Sequence, residues 1–494
     1  MKKIFKVLFI LISGVSLLGV SSCKKTLDNL ADLNKNENQP LKASSPTLLT
    51  AAEFSGVMAD QGGFGDGFIG IFSQHSAGNH ATGVDYNQYI LKHGDFQFLF
   101  NDAYVSSLMN LKQLIANAGV KDQKYVGIAQ ILQAYQLGYL TSIYGDIPWS
   151  QSLDVLKYPH PKYDAQIDIY TQVQNLLTSG IINLNESGAS AVTGDIIYQG
   201  DAKKWKGAAY LLKARFYNHF SKKDPAGSAT SALLMVDSAK LAGLTSSAGD
   251  FTLPYDGLTS STTNPWVGSM YPNGMVVASK PFLDSMSAQN DPRINAYFTR
   301  LAGVGGKDVY GLGKVISGTV GTGAYMSIGP GIGSYFGAAS NSSILLASYP
   351  ELLMIEAEAA FRSGNTLRAA NAHNAAVTAQ INTVVSNPSD LAKVNAYLAN
   401  FANENLLSIN LSKIMTEKHK LMFTMEVESW MDVRRSCYMY PSFLSIPVVD
   451  ETTMPMVPVA QAFIQRLLYP QSELDKNTAN VPNTGIFDKL PILQ

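Results

Sequence analysis

Between residues 303 and 337, 12 of the 35 positions are glycine, and no helix of useful length survives that density. On either side, the chain reads as one helix after another. This contrast does most to narrow the fold. It predicts a mainly α-helical body that carries a loop-rich insert at about 245–345.

Ahead of the insert, apolar periodicity predicts helices over Asn101–Ala118, Gln123–Tyr144, Ala165–Ile182, Ala202–Phe220 and Ala229–Ala242. In the second, Ile128, Leu132, Tyr135 and Tyr139 share a stripe, and Asp122 is placed to cap it. Gly145-Asp146-Ile147-Pro148-Trp149 stops it, since glycine and proline end helices. Asp201 precedes the fourth, where Trp205, Ala209, Leu212 and Phe216 recur at helical spacing. After the insert, Ser348 and Pro350 open a helix that runs to Arg362 before Gly364. Leu367–Val385, Asp390–Asn400 and Leu411–Val433 follow, and the chain turns irregular and proline-punctuated from Tyr440. Segment 357–377 is a helix–turn–helix with small alanines at its contact, which looks like a tetratricopeptide unit or an ordinary antiparallel helix pair.

The N-terminus predicts where this body resides. Lys2, Lys3 and Lys6 precede an apolar run, Val7–Val20, and then Val20-Ser21-Ser22-Cys23. The run is too short for a comfortable membrane span. Small residues directly before a cysteine resemble a bacterial lipobox, which would make Cys23 the acylated first residue after removal of 1–22. Residues 23–45 then read as a polar, Asn-rich tether and strap, and 46–494 as the folded body. Without residues 1–22, 34 basic side chains face 38 acidic ones, a charge of −4, and no basic face suggests nucleic acid. Cys437 is the only other cysteine, so packing alone must hold the body, and a buried, inert thiol is expected there.

No catalytic or cofactor motif stands out. Asp284, Asp291, Glu356, Glu426 and Glu428 lack a recognisable setting for paired-carboxylate hydrolysis. Glu356 and Glu358 read as capping or core hydrogen bonding within a helix. His75 and His80 match no zinc spacing and read as solvated loop residues. Gly305-Gly306-Lys307-Asp308 lacks the parts of a phosphate loop, and Gly311-Leu312-Gly313 lacks the rest of a dinucleotide fingerprint. No metal site, cofactor or enzyme activity is expected.

Three segments spread over the chain carry a family resemblance. Asp32-Leu33-Asn34 with Asn36, Asn38 and Pro40 looks like an N-terminal strap, and Gly138–Trp149 (GYLTSIYGDIPW) resembles a helix-end motif. The C-terminal run is Trp430, Asp432, Arg434, Arg435, Tyr440-Pro441, Arg466, Tyr469, Pro470, Glu473 and Asn477. With the lipobox, these resemble the SusD/RagB family of outer-membrane lipoproteins, especially its second SusD-like branch. The resemblance implies four tetratricopeptide-like helix pairs packed with a loop-rich face. It further implies a protein that binds oligosaccharides, or sometimes peptides, and lies as a hinged lid over a SusC-like, TonB-dependent barrel that moves the nutrient. It departs from the family where Ser436-Cys437 replaces the glycine expected after the arginine pair.

In the C-terminal helix, Trp430 and Arg434 share a face, as do Met431 and Arg435, and Asp432 follows Glu428 by one turn. Arginine forks match carboxylates, so Trp430, Asp432, Arg434 and Arg435 are expected to fasten the helix internally. Sugar rings call for exposed aromatic platforms beside amides and charges. Two loop regions supply that mixture. One is Asp85–Tyr89, with Tyr86, Asn87 and Tyr89; the other is the insert, with Asn264, Trp266, Tyr271, Asn273, Tyr310, Tyr325 and Tyr335. Their alternative role is to pin the insert to the helices. A surface hydrolase with unrecognised carboxylates and a tetratricopeptide scaffold without nutrient binding are the competing functional readings.

Overall fold

The computed structural model describes residues 43–56, 64–78, 82–266, 276–300, 326–327, 341–446 and 462–494. The chain divides into two compact units, Met1–Ser44 and Ser45–Gln494. The second opens with helices α1 (Ser45–Glu53), α2 (Phe64–Ser73) and α3 (Thr82–Asn87). A continuous rod follows, made of α4 (Gln97–Asn101), a π-helical stretch (Asp102–Leu108) and α5 (Met109–Asn117). Next come α6 (Gln123–Tyr144), α7 (Gln166–Leu184), α8 (Ala202–Asn218) and α9 (Pro225–Leu241). Two short helices, α10 (Lys280–Ala288) and α11 (Ile294–Tyr297), lie in the insert. The remainder is α12 (Tyr349–Arg362), α13 (Thr366–Val384), α14 (Leu391–Phe401), α15 (Leu411–Leu421), α16 (Glu426–Arg435) and α17 (Gln471–Lys476).

The long helices stack as an array. α5 packs on α6, α6 on α7, α7 on α8, α8 on α9, α9 on α12, and α12 on both α13 and α15. The array therefore continues directly from α9 to α12, with the intervening chain branching off its side. Local chemistry starts these helices. Asp201 accepts hydrogen bonds from the Lys203 and Lys204 amides, and Ser348 accepts one from Glu351 at 3.2 Å while Glu351 reaches back to the Ser348 amide. Between α12 and α13, Gly364 adopts φ +82, a conformation that costs glycine little. Ala357, Ala360, Ala369, Ala370 and Ala372 close the pair around Ile409 and Ile414.

α6 is the axis of the first half. From Ile131 to Tyr144 every residue is buried, so its neighbours surround it rather than covering one stripe. Against α7 it comes close enough that Gly127 and Gly180 face each other. A Cβ on either would lie 2.8 Å from the other's carbonyl oxygen. The short strands serve the insert. β1 (Ser76–Gly78) pairs antiparallel with β3 (Val276–Ala278), with Ser76 opposite Ala278. β2 (Phe251–Leu253) pairs antiparallel with β6 (Ile344–Ala347), joining the two ends of the insert. β4 (Thr299–Arg300) pairs with β5 (Met326–Ser327).

The structure corrects several sequence expectations. The helix expected over 101–118 begins at Gln97 and passes through the π-helical stretch. Asp122 does not cap α6; its carboxylate takes the Gly119 amide at 3.0 Å instead. The helix expected over 411–433 is broken, because Thr424 sits at φ +74 with its amide held by Glu426 Oε1 at 3.1 Å. Cys437 is exposed rather than buried, at φ +55 in the turn after α16. His75 is not solvated: it is fully buried, with Nδ1 2.7 Å from Glu426 and Nε2 2.8 Å from the His419 carbonyl. His80 lies outside the described residues, as do Cys23, the strap and residues 303–325 and 328–337 of the glycine-rich run.

The Gly127–Gly180 contact gives a direct test. Gly180→Leu should push α6 and α7 apart and cost about 1–3 kcal/mol, as overpacked cores do. Urea denaturation should show a lower midpoint with little change in slope.

Candidate ligand-binding site

The segments near 138–149 and 466–477 meet in space. α6 ends at Tyr144, and Gly145 turns the chain at φ +84. Arg466 donates to the Tyr144 carbonyl and to the Tyr469 hydroxyl, and that hydroxyl lies 3.0 Å from the Tyr144 carbonyl and 2.8 Å from the Asp146 carbonyl. The Tyr163 hydroxyl donates to Glu473 at 2.9 Å, and Asn477 donates to the Pro161 carbonyl at 2.8 Å. Arg466 and Tyr469 thus satisfy open carbonyls at the end of a buried helix, and Tyr163, Glu473 and Asn477 tie the C-terminal segment beside it. Their role is to fix the backbone.

The α16 residues act alike, by two different chemistries. Arg434 stacks over Trp430, with its guanidinium 3.9 Å from the ring centroid, and donates to the Ser142 and Gln465 carbonyls at 2.8 Å each. Arg435 instead forks onto Glu358, contacts Asp432 at 2.6 Å and donates to Ser221 at 2.8 Å. Lys418 reaches Asp432 at 2.9 Å. Burial works to raise the Glu358 carboxyl, yet Arg435, Lys418 and Arg362 outweigh it and hold it well below the usual carboxylate range.

The other carboxylates weighed for catalysis are engaged in similar ways. Asp291 pairs with Arg293 at 2.6 Å, Glu426 with His75 at 2.7 Å, and Glu428 with His219 at 2.8 Å. Glu356 binds Lys240 and Arg368, and Asp284 lies on the exposed side of α10. Among the described residues, no group of three or more His, Cys, Asp or Glu could hold a metal ion.

The aromatic residues expected to form a platform have a different environment. Tyr86 and Asn87 belong to α3, not to a loop, and Tyr86, Asn87 and Tyr89 are 2%, 7% and 5% exposed. The Tyr86 ring stands edge-on to Phe68 with centroids 4.9 Å apart. Asn87 brackets Gly78, accepting from its amide at 2.8 Å and donating to its carbonyl at 2.7 Å. Trp266 is 2% exposed, and its amide donates to Asn264, which itself donates to the Ser342 carbonyl at 2.8 Å. Asn87 and Asn264 pin neighbouring loop backbone to the body, and the Tyr86, Tyr89 and Trp266 rings are buried rather than presented to a ligand. Tyr271, Asn273, Tyr310, Tyr325 and Tyr335 lie outside the described residues.

A groove between α9, α12 and α13 does combine an accessible ring with polar groups. Its volume is about 500 Å³, and Lys240, Tyr349, Glu356, Asn365, Arg368 and Asn371 line it. Glu356 joins Lys240 to Arg368, whose Nε lies 2.8 Å away, and Arg368 continues to Asp237 at 2.5 Å. Asn365 caps α13 by accepting the Arg368 amide at 3.0 Å. Tyr349 is half-buried, and burial together with Glu356 pushes its phenol upward. Sequence reasoning missed this site because Lys240 and Glu356 stand on opposite sides of the insert. The one visible signal, Ser348, concerns only where a helix starts.

A family model described as "Starch-binding associating with outer membrane", the second SusD-like family, matches residues 37–470. The chain belongs to the SusD-like family. Solved structures agree on the fold of this SusD-like protein. A chitin-binding protein is 25% identical, with TM-score 0.72, covering 89% of this chain and 95% of its own. A SusD homologue from Bacteroides fragilis is 19% identical at TM-score 0.72, covering 92% and 100%. A chitin-binding SusD homologue from Flavobacterium johnsoniae is 19% identical at TM-score 0.71, covering 91% and 97%. No curated protein matches the sequence. SusD-like proteins are in general binding proteins rather than catalysts.

Acid should expose the buried pairs of this SusD-like body. Burial raises the Glu428 carboxyl, but His219 and Arg215 outweigh it and bring it down to about 2. An unfolded glutamate titrates near ~4.3, so this stabilisation is complete above that pH and is lost as pH falls through about 2. Denaturant titrations at several pH values between these limits should therefore show stability falling with acidity. Glu428→Gln should be less stable at neutral pH but lose less on acidification.

Proposed function

We propose that this SusD-like protein is a lipid-anchored outer-membrane protein at the cell surface that binds oligosaccharides and delivers them to a SusC-like, TonB-dependent transporter. The family match over residues 37–470 carries this reading, because its description names both starch binding and the outer membrane. The lipobox-like Val20-Ser21-Ser22-Cys23 supports the anchor. The chitin-binding relatives support carbohydrate over peptide as the nutrient. Engagement of Asp291 and Glu356 by arginine and lysine, and of Glu426 and Glu428 by histidine, supports a binder over a hydrolase.

In this reading, the α9–α12–α13 groove presents the Tyr349 ring to the C–H face of a sugar, with Asn365, Asn371 and Arg368 beside it for hydroxyls. Tyr271, Tyr310, Tyr325 and Tyr335 of the insert are the further proposed contacts.

An array of starch, chitin and other oligosaccharides, with peptides as controls, should show carbohydrate binding without turnover. Asn371→Ala, on an exposed position of α13, should weaken that binding roughly tenfold, the scale of one lost hydrogen bond to ligand, with an unchanged melting temperature. Tyr271→Ala should do the same if the insert shares the surface. Product release from any glycan would establish a hydrolase instead.

The anchor has its own test. Cys23→Ala should abolish palmitate labelling and shift the protein from the membrane fraction to the soluble one. Co-purification with a TonB-dependent barrel should be lost with it or greatly weakened.

A further inference from the structure

We propose that a second cleft, formed by α13, α14 and α15 apart from the groove above, binds one neutral, hydroxyl-bearing ring such as a single sugar unit. The proposal rests on the carbohydrate-binding reading and adds a separate site to it. The cleft has a volume of about 260 Å³, enough for one ring rather than a chain, and is lined by His373, Phe401, Glu404, Lys413, Thr416 and Glu417 among others.

His373 points to a ligand. It is 1% exposed, and its Nε2 is buried without a hydrogen-bond partner. Buried polar atoms are nearly always paired, so an unpartnered one on a residue that lines a cleft asks for an occupant. Its chemistry follows from its neighbour. The Asn374 amide is oriented by Glu404, whose backbone amide donates to Asn374 Oδ1 at 2.9 Å and whose carbonyl accepts from Nδ2 at 2.8 Å. Oδ1 is thus an acceptor, and it faces His373 Nδ1 at 3.3 Å, so Nδ1 carries the proton. Nε2 then offers a lone pair. Burial favours this neutral ring by pulling the imidazole below its ordinary value.

The charges around the cleft exclude an ionic ligand. Glu417 accepts from Lys420 at 2.7 Å, from Arg293 at 2.8 Å and from the Tyr397 hydroxyl at 2.7 Å. Glu404 accepts from Lys413 at 2.8 Å, and Arg293 also holds Asp291 at 2.6 Å. Arg293, Lys413 and Lys420 balance Asp291, Glu404 and Glu417, so neither a cation nor an anion finds an unmatched charge. An anion would also meet the lone pair of Nε2. A hydroxyl can donate to that lone pair and accept from Lys413 or Thr416. The half-buried Phe401 ring supplies a wall for the C–H face.

The test is a titration of the full chain with glucose, galactose, mannose and N-acetylglucosamine, following the histidine ring nitrogens by NMR and affinity by calorimetry. The expected result is a shift of the His373 Nε2 resonance, with saturation by at least one of these sugars. His373→Leu should weaken that sugar roughly tenfold, with only a small drop in melting temperature from the lost Nδ1 contact to Asn374. Should that variant misfold, the wild-type resonance still decides. If no monosaccharide moves His373 while oligosaccharides still bind, this site is overturned and the nutrient-binding reading stands. If neither kind of sugar binds, both fall.

Discussion

Glu358 holds four helices to one another. Its carboxylate, from α12, accepts from Asn218 of α8 at 2.9 Å and from Arg435 of α16 at 2.5 Å. Lys418 of α15 stands at 3.4 Å, and Arg362 of α12 itself at 3.5 Å. Once buried, this charge has no cheap alternative to its partners. Removing one leaves the others desolvated and unmatched, which typically costs about 3–5 kcal/mol. The array, the broken α15–α16 turn and the C-terminal segment are therefore mutually dependent. Arg434 extends the same dependence through the Ser142 and Gln465 carbonyls to the end of α6.

Much of the fold was legible, since helices declare themselves locally. α6 occupies the predicted Gln123–Tyr144, and α12 starts behind Ser348 as its cap residues dictate. The mainly α, SusD-like architecture follows from many such local signals agreeing. The failures were tertiary. The break at Thr424 depends on Glu426, itself held by His75 from the turn after α2, some 350 positions away in sequence. No window of neighbouring residues contains that information. His75 looked like a solvated loop residue for the same reason, and Cys437 looked buried only because cysteines usually are.

The candidate site was harder to read. Aromatic residues among Asn and Gly suggested a platform, yet Tyr86, Tyr89 and Trp266 serve the core. An aromatic ring does not state in sequence whether it faces water or a neighbouring ring. The grooves that the structure does show draw on residues with separate local explanations: Asn365 as a cap, Glu356 as a helix acid, His373 as an interior histidine. Only their spatial convergence gives them a chemical meaning. Family membership then supplies the class of ligand that geometry leaves open.

The direct contact of α9 with α12 has an evolutionary consequence. Because the β2–β6 clasp brings both ends of the intervening hundred or so residues together beside that contact, the array is already closed without them. Closing a longer excursion costs only a fraction of a kilocalorie per doubling of its length, about 0.6 kcal/mol. Descendants of such a protein can thus lengthen, shorten or rewrite this excursion, while the helix contacts that close the array stay in place.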